Sequence, residues 1–103
     1  MSRKAFFTPA AKEDLRDARN WYEGERAGLG LEFLSEVQRA TLRLESQPEH
    51  FATVYRQIRL CPVKRFPYIL AFRIAGDLVE VLAVLHAHRD PGAWKRRSNG
   101  DRA

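Results

Sequence analysis

The sequence predicts an α+β domain in which an αα-hairpin lies on one face of a small, mostly antiparallel four-stranded sheet, in the order β-α-α-β-β-β. Two observations predict it. In the stretch from Lys64 to Trp94, the runs Tyr68–Ile74 and Leu78–His88 are rich in β-branched, aromatic and aliphatic residues, and Ala75-Gly76-Asp77 supplies turn chemistry between them. In the first half of the chain, apolar residues recur twice at helical spacing, and Gly28-Leu29-Gly30 separates the two runs. At 103 residues there is room for one domain with a single core and no need of staples.

Arg3 to Phe7 is a short apolar run expected to be the first strand. It ends at Thr8-Pro9, where Thr can cap a helix and Pro suits its first position. From Pro9 to about Glu25, Ala11, Leu15, Ala18 and Tyr22 mark one face, and Lys12, Glu13, Arg16, Asp17 and Arg19 mark the other. Trp21 and Tyr22 are expected to pack on the sheet. After the glycines, Phe33, Leu34, Val37, Thr41 and Leu44 form a second stripe that Pro48 ends. The Gly-x-Gly lacks the further glycine or Lys-Ser ending of a phosphate loop, so it is a hairpin turn. Val54–Cys61 reads as one strand, although Arg56 interrupts its alternation, and Pro62 closes it. In the last two strands, Tyr68, Leu70, Phe72 and Ile74, with Val79, Val81, Ala83, Leu85 and Ala87, are expected to face the helices. Glu80, Leu82, Val84, His86 and His88 then fall on the opposite face. Residues 1–95 are expected to form the domain, and residues 96–103 a flexible basic tail too poor in apolar groups to fold.

Lys and Arg number 18 against 13 Asp and Glu, for a net charge of +5 and a pI near 9.9. Such a balance points to an anionic partner, either nucleic acid or an acidic protein segment, and the Arg fork suits phosphate and carboxylate alike. The single Cys61 excludes an internal disulfide and a cysteine-based zinc site, and fits a reducing compartment. No apolar run reaches signal-peptide or membrane-spanning length, so a cytoplasmic protein is expected. His86 and His88 share a strand face without an assured third ligand, so neither a metal nor a cofactor is expected. Arg89-Asp90 fits a local charge pair at the strand end or a contact with a target.

The order of elements, Asp14-Leu15 and Trp21-Tyr22 in the first helix, Pro48, Arg59-x-x-Pro62-x-x-Arg65-Phe66-Pro67-Tyr68 and Leu85-His86-x-x-Arg89-Asp90-Pro91-x-x-Trp94 resemble the RelE/ParE superfamily of type II toxin–antitoxin toxins. The resemblance runs over residues 4 to 95. It implies a bacterial or plasmid-borne growth inhibitor, of the plasmid stabilization kind, neutralised by a cognate antitoxin that contacts operator DNA on behalf of the complex.

RelE-like members of this superfamily cut mRNA on the ribosome without a metal, using basic side chains and a C-terminal Tyr. ParE-like members are described as blocking DNA gyrase by binding. In this sequence Arg59 matches a basic position of the nuclease set, but Ile69 stands where those enzymes have Arg and Trp94 stands at the Tyr position. Indole has no hydroxyl to give or take a proton. The resemblance therefore favours the ParE-like branch, and a role that is not enzymatic, over a ribosome-dependent endoribonuclease. A non-toxic basic nucleic-acid-binding domain ranks last. Candidate contacts to the target or antitoxin are Arg56, Arg59, Arg65, Arg73, His86, His88, Arg89 and Trp94. If the protein were a nuclease, its candidates would be Arg59, Arg65, Arg73, His86, His88 and Arg89.

Overall fold

The structure, a computed structural model, describes residues 3–89 and 93–100. In chain order it contains β1 (Lys4–Phe7), α1 (Pro9–Glu25), α2 (Leu29–Ser46), a 3-10 turn at Pro48–His50, β2 (Thr53–Tyr55), β3 (Ile58–Pro62), β4 (Tyr68–Ala75), β5 (Leu78–His86) and α3 (Ala93–Gly100). The strands form one sheet in the order β1-β5-β4-β3-β2. β1 runs parallel to β5, and the other neighbours are antiparallel. No helix among the described residues is long and apolar enough to cross a membrane.

α1 begins as its sequence requires: the Thr8 hydroxyl accepts from the Ala11 N–H at 3.1 Å, and Pro9 follows the cap. The turn into α2 is tied by Glu23, whose two carboxylate oxygens accept from the Gly28 and Gly30 N–H groups at 2.9 Å each. Gly28 sits at φ +90, where a side chain would be strained. Gly30 is small for a different reason, since a Cβ there would lie 2.9 Å from the Arg19 carbonyl oxygen. The buried stripe of α2, Phe33, Val37, Ala40 and Leu44, packs with Ala11, Ala18 and Tyr22 of α1 on Leu70, Phe72, Val79 and Val81 of the sheet. Tyr22, Phe33, Phe66 and Tyr68 form an aromatic group at one end of this layer, mostly edge to face, with ring centres 4.9 to 6.0 Å apart.

The architecture departs from expectation in three places. The segment expected to be one strand is two: β2 and β3 pair across Arg56-Gln57, with Arg56 at φ 51, so the sheet has five strands and not four. The Arg56 that interrupts the alternation is the turn itself. Second, β4 and β5 slip in register. Ala71 opposes Ala83 while Phe72 opposes Val81, which leaves Leu82 as an extra residue, a β-bulge. A bulge reverses the parity beyond it. Val84 therefore joins the helix-side core, whereas Leu82 and Ala83 lie in a second cluster on the other face. His86, two residues past Val84, also turns to the helix side and meets Tyr68, not the opposite face as alternation predicts.

Third, the stretch expected to fray after residue 95 is helical to Gly100, and residues 101–103 lie outside the described residues. α3 covers part of the second sheet face. Trp94, 7% exposed, packs there with Ile58, Ala71, Leu82 and Ala83.

Candidate functional site

β1 ends at Phe7, opposite Val81, so it does not pair the rest of β5. Backbone and side-chain groups close that edge. The Thr8 N–H donates to the Val81 oxygen at 3.0 Å, and Arg97 Nη1 donates to the Leu82 oxygen at 3.1 Å. The Val84 N–H donates to Asp14 Oδ2 at 3.0 Å. Asp14 in turn receives the Arg97 fork, Nη2 to Oδ1 at 3.0 Å and Nη1 to Oδ2 at 2.5 Å. One carboxylate of α1 thus joins the strand edge to α3.

Beside it an open groove of about 310 Å³ runs between α1 and the end of β5, lined by Asp14, Asp17, Trp21, Tyr68, His86 and Arg89 among others. Trp21 is half exposed, and the Arg89 guanidinium lies 5.8 Å from its ring centre. The His86 ring stands edge-on to Tyr68 at 5.4 Å, and its Nδ1 accepts from the His88 N–H at 3.1 Å. Desolvation, then the charges of Arg89 and His88, hold His86 below its ordinary 6.5, so the imidazole is neutral at pH 7. Burial raises the Tyr68 phenol, which keeps its proton. The groove therefore offers hydrogen-bond donors and acceptors, a cation and an aromatic wall, a set suited to holding a partner.

The predicted basic residues do not converge on one point. Arg56 lies at the β2–β3 turn, its Nε donating to the Tyr55 hydroxyl at 3.0 Å. It shares one depression with Gln57, Ile58 and Arg73, and a second with Thr53, Gln57, Arg59 and Ile74. Arg59 reaches the Phe51 carbonyl oxygen at 2.5 Å and ties down the connector after the 3-10 turn. Arg73 pairs across the strands with Glu80 at 2.8 Å. Arg65, at φ 72 in the β3–β4 loop, pairs with Glu32 at 2.9 Å and with the buried Glu36 at 3.4 Å. Arg65 is thereby a clamp between loop and helix. His86, His88 and Arg89 gather at the opposite end of the sheet from the β4–β5 turn that Arg73 flanks, and His88 is exposed. Among the described residues no three His, Cys, Asp or Glu side chains gather as a metal site. Asp90, which fits a local charge pair with Arg89 by sequence, and Pro91-Gly92 lie outside the described residues.

Residues 5–91 match the family model described as the ParE toxin of type II toxin-antitoxin system, parDE. The chain belongs to the ParE family. Toxin ParE2 of Mycobacterium tuberculosis, in strains CDC 1551 / Oshkosh and ATCC 25618 / H37Rv, is 28% identical over 64 residues. That stretch is 62% of this chain and 61% of the relatives, so the match spans less than two thirds of their length. A solved structure titled "Chromosomal ParDE TA system from P. aeruginosa" superposes with a TM-score of 0.72 at 17% identity, covering 82% of this chain and 96% of that one. It shares the fold.

Within this ParE-family chain, the two positions that depart from the nuclease pattern are packing positions. Ile69 is partly buried against the second cluster, and Trp94 is inside it, with the Tyr55 ring 5.8 Å away. Trp94, a candidate contact by sequence, is thus a core residue of the second face. Two residues that organise the site carried little signal. Asp14 is part of the family resemblance but its helix pattern gives it no role, and Arg97 falls in a stretch too polar to be assigned as structured. The usable hint was the three-residue spacing of Trp94 and Arg97, which puts both on one face if the segment is helical.

Proposed function

We propose that this chain is the growth-inhibiting toxin of a type II toxin–antitoxin pair, that it acts in the cytoplasm by binding DNA gyrase, and that a cognate antitoxin neutralises it. The family match over residues 5–91 carries this reading. The placement of the basic residues adds to it. Arg59, Arg65 and Arg73 make structural contacts, the Trp94 indole has no hydroxyl to give or take a proton, and Tyr68 is kept protonated by burial. An acidic antitoxin segment that folds on binding suits a toxin of net charge +5. Induced expression of the chain should arrest growth, and coexpression of the product of a short acidic reading frame beside its gene should restore it. Undiminished growth while folded protein accumulates would refute the toxin reading.

A second reading, RelE-like cleavage of mRNA, draws on the meeting of His86, Arg89 and Tyr68 in one groove. It requires that the double substitution His86→Ala, His88→Ala abolish toxicity and that transcripts be cut in a translating extract.

A further inference from the structure

Arg65 holds a backbone conformation that residues with a side chain rarely adopt, φ 72, where glycine would be free of strain. Such a residue stays in place only when its surroundings over-determine it. Here the acids of α2 do so. The guanidinium reaches Glu32 at 2.9 Å and Glu36 at 3.4 Å, and Glu36 is the one buried charged residue among those described. Arg39, one turn along α2, brings a second cation to Glu36 at 3.0 Å, and Arg26, from the turn before α2, meets Glu32 at 3.4 Å. The β3–β4 loop is thus held to the αα-hairpin by a chain of alternating charges. Without Arg65, a buried carboxylate would keep one cation in place of two.

The clamped loop reaches the groove. Its Phe66 ring centre lies 5.7 Å from the Arg65 guanidinium and packs against Tyr22 and Phe33. Next to it, the Pro67 carbonyl oxygen accepts from the Ala87 N–H at 2.8 Å. The β4–β5 ladder ends where Tyr68 opposes His86, so this bond carries the pairing one step beyond the strand, into the turn that holds His88 and Arg89. Arg89 in turn meets Trp21 of α1 across the groove. We infer that Arg65 is a positioning residue for the groove: by fixing the β3–β4 loop on α2, it holds the turn after β5 and so places Arg89 opposite Trp21. A partner seated in the groove is thereby coupled to charges on α2 that it never touches. The inference rests on the groove and not on what fills it, so it can fail while the toxin reading stands, and the reverse.

NMR of the full chain tests it, with amide exchange and a pH titration of His86 read on the same samples. In Arg65→Met, which keeps the stem and loses both pairs, the Ala87 amide should lose at least about 10-fold more protection than the amides of the core strands. The His86 midpoint should rise toward 6.5 as its desolvation and the charges of Arg89 and His88 relax their hold. Tyr68, Asp14 and Asp17, the other titratable groups of the groove, are unaltered in this variant. Arg65→Lys keeps the charge as a single point in place of a fork, and should show part of both effects. Arg3→Met, which breaks the Arg3–Glu49 pair and the bond to the Gly76 oxygen at the far end of the sheet, should show neither. If Arg65→Met does not melt cooperatively, Arg65→Gln replaces it, with smaller shifts of the same sign. Three outcomes overturn the inference: an unmoved His86 midpoint in a folded Arg65 variant, equal effects from Arg65→Met and Arg3→Met, or a His86 shift with Ala87 protection intact, which would reflect only the lost charge.

Discussion

Asp14 joins three elements at one carboxylate: α1 carries it, the β5 edge donates to it through Val84, and α3 grips it through Arg97. Its side chain is 15% exposed, so the Arg97 pair is better shielded than an ordinary surface pair. Asp14→Ala removes both functions and should destabilise the fold by about 1.5 to 3 kcal/mol in urea denaturation. Asp14→Asn keeps an acceptor for the Val84 N–H and should cost less, about 1 kcal/mol. Equal losses from the two substitutions would mean that the ion pair alone matters. His86 gives a pH signature at the same groove. Its folded pKa lies below 6.5, so between the two values the folded state binds fewer protons than the unfolded state. Stability contributed by the neutral imidazole is therefore present above the unfolded value and is lost as pH falls through that window. His86→Asn should flatten the melting temperature against pH there, and an unchanged slope would reassign the effect to other groups. His86 was a candidate contact by sequence, but its aim is reversed by a bulge whose register slip leaves no compositional mark, and Asp14, though part of the family resemblance, carried no sign that it would bridge three elements.

At the scale of elements, the contrast between two glycines tests how the αα-hairpin is built. A Cβ at Gly24 meets nothing within 4 Å, so Gly24→Ala should stabilise α1 by about 0.5 to 1 kcal/mol through helix propensity. A Cβ at Gly30 meets the Arg19 carbonyl at 2.9 Å, so Gly30→Ala should destabilise by about 1 to 2 kcal/mol despite the same propensity gain. Chemical denaturation of both variants reads the two signs, and like signs would refute the close helix approach. α3 is tested by Trp94→Ala. Emptying that buried site should cost about 3 kcal/mol and release α3 from the second sheet face, seen as faster amide exchange in residues 93–100. The helices and the β4–β5 hairpin were legible because period and capping agree with packing, as at Thr8-Pro9 and Gly76-Asp77. β2 was not, because a three-residue strand has too little pattern to separate it from its neighbour. α3 was missed because its contacts run mainly through Trp94 and charged side chains such as Arg97, which leave hardly any apolar stripe to read.

For the whole molecule, the two halves carry different jobs. The αα-hairpin and the helix-facing side of the sheet make the core, while the β2–β3 turn presents Arg56 at one end and α1 with the end of β5 frames the Trp21–His86–Arg89 groove at the other. That division fits a protein whose activity lies in what it holds, and it also explains why family resemblance located the fold better than the site. Order of elements survives in a sequence pattern, whereas the positions of Arg59, Arg65 and Arg73 depend on which carbonyl or carboxylate each one meets. As proposed, growth inhibition by this ParE-family chain would come from binding DNA gyrase and not from cutting RNA. The most direct measurement pairs a gyrase supercoiling assay with a translating extract, both titrated with the same purified protein. Gyrase binding predicts that supercoiling is inhibited while transcripts stay intact; cleaved transcripts alongside unimpaired supercoiling would refute it.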